Sequence, residues 1–196
     1  MVHPKEEKTV LLVKPDGVKR GLIGDICSRI EQRGLKIIAL KMIKASKAKA
    51  KAHYPGTDEW IVGMGNKTLE NYKKYSKNPI QEIGTDDPLK IGKMIYAWLV
   101  DFLVSGPMVA VLVKGVHAID MVRKIVGNTL PSKADMGTVR GDYSVDSPSL
   151  ANREKRAIRN IVHASGDAEE AEHEITYWFD KSDINDYKRS DEDIMF

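Results

Sequence analysis

The chain has 196 residues, of which 42% are hydrophobic and 30% are charged. This composition is typical of a single domain with a buried core and a polar surface. The net charge of +3, from 31 basic and 28 acidic residues, is too small to indicate a nucleic-acid or membrane-surface binder. The single cysteine, Cys27, excludes an intrachain disulfide and favours a reducing compartment.

The first part of the chain predicts two strands separated by a helix. The continuous apolar run 9–13 predicts a buried strand. Apolar residues at helical spacing predict a helix over 23–30, which Gly34 ends, and a second strand follows over 35–43. Ser46 is expected to cap a short basic helix that stops at Pro55.

Residues 55–88 are interpreted as an insertion, because glycines, prolines and polar residues interrupt any clear period there. One helix is expected within this stretch, near 68–75. Asp87 and Pro88 then indicate the start of a strong apolar helix, with Asp as the N-cap and Pro at the first position.

The second part of the chain predicts two more strands, and the stretch 145–157 is interpreted as a second insertion. The expected elements are a strand over 108–113, a helix over 119–126, a turn-rich loop over 130–140, a polar and helical stretch over 152–159, a strand at 161–162 and a helix from Asp167 to about Phe179. Their order predicts one α+β domain over 1–196, with helices on one face of a mainly antiparallel sheet.

The sequence contains neither an apolar leader nor a stretch suited to span a membrane. Residues 1–8 lack an apolar core, so we do not expect them to act as a signal peptide. The longest apolar stretch, 91–104, contains Lys93 and Asp101 and is too short to cross a bilayer. We therefore expect a cytoplasmic protein.

His163 is the strongest candidate for a reactive side chain. A neutral imidazole is a nucleophile near pH 7, provided that one nitrogen is free and the other is held by a partner. Glu174, on the next predicted helix, can supply that partner, and Ser165 can support the carboxylate or donate to a phosphate. A lone histidine is more often structural, but Asn160, Ser165 and Glu174 around it favour catalysis.

Three basic residues are candidates for binding phosphate. Lys14 directly follows the first buried strand, Arg140 lies between Gly137 and Gly141, and Arg123 lies on a predicted helix. The planar guanidinium of arginine matches two phosphate oxygens. Two other interpretations stay open at this point: Lys14 extending to water beside the core, and Arg123 on a solvated helix face. No histidine, cysteine or carboxylate spacing predicts a metal site.

Six short motifs occur in order along the chain: Lys14–Val18, Arg20–Gly24, His53–Tyr54, Ser105–Pro107, Gly137–Asp142 and Asn160–Ser165. In this order they resemble the nucleoside diphosphate kinase family, over nearly all of 8–180. The resemblance implies a ferredoxin-like βαββαβ core with a four-stranded antiparallel sheet. It also implies ping-pong transfer of the γ-phosphate of a nucleoside triphosphate to a nucleoside diphosphate, through a phosphohistidine at His163 that Glu174 orients.

The resemblance implies further roles around the nucleotide. The residues that would hold its phosphates are Lys14, Arg123, Thr129 and Arg140. Asn160 would bind the ribose hydroxyls together with Lys14, and Tyr54 would lie near the transferred group. A Mg²⁺ ion would bridge nucleotide oxygens with little or no direct protein ligation. The resemblance further implies a homo-oligomer, a hexamer or a tetramer.

Several positions depart from the family pattern. Gly166 stands where the family has Asp, although Asp167 is adjacent, and Leu130 replaces a residue of a loop that supports subunit contacts. Ile95 aligns with the aromatic that stacks on the base, so an aromatic term of ~0.5–1.5 kcal/mol would be lost. Leu99 matches the second apolar contact, and this mainly apolar cover predicts weak base selectivity.

The two insertions, 55–88 and 145–157, are expected near the nucleotide and are hypothesised to form a lid or an oligomer contact. The alternative function is a catalytically weak or silent nucleotide-binding or regulatory protein of the same fold. The departure at Gly166 keeps that alternative open, whereas His163 and Glu174 argue against it. Nucleic-acid binding is not expected, because the predicted central strands lack the exposed aromatics of RNA-binding sheets.

Overall fold

A four-stranded antiparallel sheet forms the centre of the fold. The structure is a computed structural model that describes residues 6–195. Residues 1–5, which belong to the segment 1–8 that is not expected to act as a signal peptide, lie outside the described residues. The strands are β1 (Glu6–Val13), β2 (Lys36–Ile43), β3 (Met108–Val116) and β4 (Val162–Ala164). They lie in the order β2-β3-β1-β4. This arrangement confirms the predicted α+β, ferredoxin-like core.

Eleven helices connect and cover these strands within the described residues. They are α1 (Pro15–Lys19), α2 (Ile23–Gln32), α3 (Lys47–His53), α4 (Asp58–Lys74), α5 (Pro79–Ile83), α6 (Pro88–Val104), α7 (Ala118–Val126), α8 (Val139–Tyr143), α9 (Pro148–Arg153), α10 (Ala168–Trp178) and α11 (Glu192–Met195). Two short 3₁₀ turns lie at Pro131–Lys133 and Lys181–Asp183.

Side-chain caps explain where several helices begin. Ser46 Oγ accepts a hydrogen bond from the Lys49 N–H, and Asp87 Oδ1 accepts one from the Leu89 N–H, as the sequence predicts. Asp167 likewise accepts from the Glu170 N–H. In the predicted capping box, the Glu170 side chain would accept from the Asp167 N–H. It accepts from the Gly166 N–H instead.

Helices pack on both faces of the sheet, which corrects the expectation of a single covered face. Leu11 and Val13 of β1 contact the layer formed by α2 and α7, whereas Val10 and Leu12 contact the layer formed by α3, α6 and α10. Successive strand residues point to opposite faces. The unbroken apolar run of β1 is therefore the pattern of a strand buried on both sides.

The insertion is more regular than its sequence indicates. The expected helix near 68–75 is the last part of α4, which begins at Asp58 behind a Thr57 cap. A Cβ on Gly65 would lie 1.9 Å from the Pro88 carbonyl oxygen, and one on Gly92 would lie 2.0 Å from the Ile61 oxygen. These glycines allow α4 and α6 to cross closely.

The second insertion and the C-terminal segment pack on the outside of this core. Helix α9 covers Pro148–Arg153 behind a Ser147 cap, earlier than the helical stretch expected over 152–159. The C-terminal segment follows β2, where the Asn185 N–H donates to the Ile38 oxygen at 2.8 Å. Over residues 6–195, no helix combines the length and apolarity needed to cross a bilayer.

Candidate active site

Hydrogen bonds join the segment that follows β1 to the residue that precedes β4. The Lys14 N–H donates to the Ile161 oxygen at 2.8 Å, and Asp16 Oδ2 accepts from the Ile161 N–H at 3.0 Å. Ile161 has φ 69°, a left-handed conformation that is costly for a β-branched residue. The Asp16 carboxylate helps to hold that conformation and so places Asn160 beside Lys14.

His163 lies within β4, where it pairs with Leu12 of β1. Its Nε2 is 2.6 Å from Glu174 Oε1, and the Ser165 hydroxyl donates to Glu174 Oε2 at 2.7 Å. Because a carboxylate accepts and does not donate, Nε2 carries the hydrogen. Nδ1, which makes no hydrogen bond within the described part of the chain, is then the nitrogen with a free lone pair.

Burial sets the charge state of this pair. Desolvation lowers the pKa of His163, and the positive charge of Lys14 lowers it further. Desolvation raises the pKa of Glu174, against a hydrogen bond from Ser165 that lowers it. The imidazole is therefore neutral at pH 7, which is the protonation state that a nucleophile requires. Ser165 supports Glu174, one of the two roles open to it from the sequence.

His53 is a neighbour of the site whose role the sequence does not predict. Its ring meets that of His163 edge-on, with 4.8 Å between centroids, and its Nδ1 lies 3.6 Å from Glu174 Oε1. His53, His163 and Glu174 form the one cluster of potential metal ligands found in residues 6–195. Imidazole nitrogens do not suit Mg²⁺, which prefers oxygen. Only the tertiary fold brings these residues together.

A polar cavity of about 640 Å³ opens in front of the histidine. Its lining includes the cations and polar residues singled out from the sequence: Lys14, Arg123, Thr129, Arg140, Asn160 and His163. The lining also includes Lys124 and Lys133, which the sequence analysis did not single out. Several positive charges therefore surround one face of the imidazole, as a ligand with phosphate groups requires.

Lys14 is buried and does not extend to bulk water. Its Nζ donates to Asn160 Oδ1 at 2.8 Å, and the Asn160 amide donates to the Thr129 oxygen at 3.0 Å. Burial lowers the pKa of Lys14 to about 8, and the nearby charge of Arg140 acts in the same direction. The ammonium is therefore still mostly charged at pH 7, and a negative ligand would favour its charged form.

The two arginines are held in different ways. The buried Arg140 donates to three backbone oxygens, those of Asn160, Gly127 and Val162. A guanidinium has five donors, so two remain for a ligand. Arg123 is exposed, and its one hydrogen bond within residues 6–195 goes to the Gly166 oxygen at 2.6 Å. Arg140 thus joins the polar cavity to β4, whereas Arg123 reaches the cavity from the solvent side.

A second, more apolar cavity of about 600 Å³ lies beside the first and shares Lys14, Thr129, Lys133 and Asn160 with it. Helix α6 contributes Ile95, Leu99 and Trp98 to its lining. Trp98 was not predicted from the sequence as a site residue, although it lies three residues after Ile95 and so on the same side of the helix. The cavity therefore does offer an aromatic ring.

Tyr54 lines neither cavity. Its ring stacks on Trp60 at 5.8 Å between centroids and lies 4.9 Å from the ring of His53. Its hydroxyl is buried and has no hydrogen-bond partner within residues 6–195. A direct contact between Tyr54 and a transferred group therefore stays a prediction, while its packing against His53 is part of the structure.

A family model described as nucleoside diphosphate kinase matches residues 7–60 and 89–184. The chain belongs to the nucleoside diphosphate kinase family. The gap in the match, 61–88, covers most of α4 and all of α5, so the family model does not describe this segment. The stretch 145–157 lies inside the matched range.

Curated relatives match nearly the whole chain. A nucleoside diphosphate kinase from Pyrobaculum aerophilum is 49% identical over 178 residues, which cover 91% of this chain and 97% of the relative. One from Archaeoglobus fulgidus is 35% identical and covers 97% of each chain. These matches therefore extend over nearly the whole length of this chain and of each relative.

Solved structures agree with the fold. The crystal structure of an NDP kinase from Pyrobaculum aerophilum has a TM-score of 0.88 at 47% identity, covering 92% of this chain and 100% of that one. A transition-state mimic of the nucleoside diphosphate kinase from Borrelia burgdorferi, with bound vanadate and ADP, has a TM-score of 0.77 at 34% identity. It covers 97% of this chain and 96% of that one.

Proposed function

We propose that the protein is a nucleoside diphosphate kinase that transfers the γ-phosphate of a nucleoside triphosphate to a nucleoside diphosphate through His163. The observation that carries the proposal is the arrangement of this one imidazole. Its Nε2 is held by the buried Glu174, and the ring lines a cavity that also contains Lys14, Arg123 and Arg140. A neutral, oriented nucleophile in front of clustered cations is what phosphoryl transfer requires.

The first half-reaction phosphorylates the enzyme. The Nδ1 lone pair attacks the γ-phosphorus, a P–N bond forms, and the bond from phosphorus to the β–γ bridging oxygen breaks with its electrons on the departing diphosphate. Glu174 stabilises the positive charge that develops on the ring through the Nε2–H bond. Lys14, Arg123 and Arg140 neutralise charge on the phosphate oxygens, and Thr129 donates to them. The second half-reaction is the reverse, with another diphosphate as acceptor.

The nucleoside would extend from the polar cavity into the apolar one. Lys14 and Asn160 line both cavities, in agreement with a role at the ribose hydroxyls. Ile95 and Leu99 line the apolar cavity, where they would cover the face of the base. Trp98 beside them adds an aromatic ring, so the replacement of the family aromatic by Ile95 need not remove stacking.

The residues present fit a Mg²⁺ ion that arrives with the nucleotide. The polar cavity contains two exposed carboxylates, Asp120 and Asp135, among its cations. Carboxylate oxygens, phosphate oxygens and water are the ligands that Mg²⁺ prefers. We therefore expect these two residues to hold the ion mainly through water. When bound, the ion would neutralise charge on the β- and γ-phosphate oxygens.

The proposal also includes a role for Tyr54, an oligomeric state and a cellular location. Tyr54 would act on the site through His53, against which it packs. A homo-oligomer, a hexamer or a tetramer, and a cytoplasmic location follow from the family resemblance and from the single Cys27. The alternative, a silent nucleotide-binding protein, is not favoured because His163, Glu174 and Ser165 form an intact hydrogen-bonded chain.

A phosphoenzyme assay tests the proposal. We expect the protein, mixed with ATP and Mg²⁺, to acquire one acid-labile phosphate adduct by intact mass, which GDP then discharges. His163→Ala should remove the adduct and leave the folded circular-dichroism spectrum unchanged. His173→Ala is the matched control, because this exposed histidine of α10 lines neither cavity. An adduct that persists in His163→Ala would contradict the assignment.

A further inference from the structure

We infer that α4, most of which lies in the segment 61–88 that the family model does not match, forms a wall of the base site and favours guanine nucleotides. The inference rests on the proposed function and adds the choice of base. Five residues that follow one side of α4 line the apolar cavity: Met64, Lys67, Thr68, Asn71 and Lys74. Residues at these spacings of three and four lie on one helix face.

Helix α4 packs closely against α6. Gly65 and Gly92 let its backbone and that of α6 approach so closely that no side chain fits between them. Ile61 and Tyr72 bury further contacts along the helix, and Thr57 caps its start. Close-packed protein interiors have low compressibility. A wall held in this way presents the same side chains to every nucleotide.

The position of the cavity points to the base as its occupant. The cavity shares Lys14, Thr129 and Asn160 with the phosphate cavity, so a ligand with its phosphates at His163 continues into it. Ile95 of α6 and Ala157, which follows α9, line the same cavity and offer apolar cover to a flat ring. The edge of that ring then faces α4.

The edge chemistry of α4 is complementary to guanine. Lys67 and Asn71 supply hydrogen-bond donors, and Glu70, which also lines the cavity, supplies an acceptor. Guanine presents the acceptors O6 and N7 and the donors N1–H and N2–H₂, whereas adenine presents a donor amine in place of O6. Neither the Lys67 ammonium nor the Glu70 carboxylate has a hydrogen bond or ion pair within residues 6–195. One N–H of the Asn71 amide donates to the Lys67 backbone oxygen at 2.8 Å, and the other N–H is left for a ligand.

The test compares acceptors on the phosphorylated full-length enzyme. The enzyme is phosphorylated with ATP, freed of nucleotide, and mixed with GDP, ADP, CDP or UDP, and kcat/KM is measured for discharge. We expect GDP to exceed CDP by about tenfold, the size of one good polar contact to a base edge. Lys67→Ala and Glu70→Gln should each lower kcat/KM for GDP about fivefold and change that for CDP less than about twofold.

Lys73→Ala is the matched control, because Lys73 is an exposed lysine of the same helix that lines neither cavity. It should leave all four values unchanged. Equal kcat/KM values for the four acceptors in the unmodified enzyme, or equal losses for all four in Lys67→Ala, would overturn the inference and leave the proposed function intact. Failure of the unmodified enzyme to be phosphorylated would overturn both.

Discussion

The polar cavity, which is the proposed phosphate side of the site, and the apolar cavity, which is the proposed base side, are built differently. On the phosphate side, Lys14, Arg140 and Asn160 are each less than a tenth exposed, and their polar atoms are tied to one another or to backbone oxygens. On the base side, Lys67 and Glu70 project from α4 into an open cavity and are exposed. The residues of the first group help to hold the fold together, whereas the side chains of the second group lie on its surface.

This difference separates what the site does from what it selects. Replacing a buried polar group that is hydrogen-bonded to its neighbours leaves those neighbours without a hydrogen-bond partner, so the replacement alters stability and catalysis together. A change among exposed side chains of a helix alters contacts with the ligand and little else. Nucleotide choice can therefore vary by surface substitutions on α4, whereas the phosphate geometry cannot vary without disturbing β4.

The strongest test of the contrast replaces each arginine by lysine. Arg140→Lys removes the fork that satisfies three backbone oxygens. We expect kcat/KM to fall about 10³-fold and the free energy of unfolding to fall by about 2–3 kcal/mol. Arg123→Lys is the control: its exposed side chain makes one backbone contact, so kcat/KM should fall about tenfold with stability within about 0.5 kcal/mol. Urea unfolding and steady-state kinetics measure both. Equal stability losses would remove the contrast.

The orientation of the nucleophile gives the next largest effect. Glu174 lies behind His163 and lines neither cavity. Glu174→Gln should therefore lower kcat about 10²-fold, because a neutral amide stabilises the ring charge less well, while KM changes less than about twofold. Ser165→Ala, which removes one hydrogen bond to the carboxylate, should lower kcat by a smaller factor. A rise in KM without a fall in kcat would show that Glu174 contacts substrate.

The parts of the molecule that the sequence predicts are those set by short stretches of chain. The apolar runs of β1 and β3 and the caps at Ser46 and Asp87 are local patterns, so the core and several helix starts are predictable. The pair of His163 and Glu174 is predictable because a helix that follows a short strand returns beside it.

The parts that the sequence does not predict depend on tertiary contacts. Gly63 and Gly65 resemble loop residues, yet they lie within α4, where Gly65 permits the close crossing with Gly92 of α6. His53 reaches His163 only through the packing of α3 on the sheet. Trp98 becomes part of the apolar cavity because α4 provides the opposite wall. Helices on the second face of the sheet are missed for the same reason.

The smallest expected effect concerns pH and Lys14. Burial lowers the pKa of Lys14 to about 8, so its charge is lost as the pH rises through that value. Nucleotide kcat/KM, which reports the free enzyme, should fall about tenfold between pH 7 and pH 9. The unfolded chain holds this proton up to its ordinary pKa of 10.5, so the free energy of unfolding rises with pH between about 8 and 10.5. Unfolding measured at each pH therefore separates loss of charge from loss of fold. A flat kcat/KM profile up to pH 10 would place the ammonium in a better-solvated setting than its burial beside Asn160 implies.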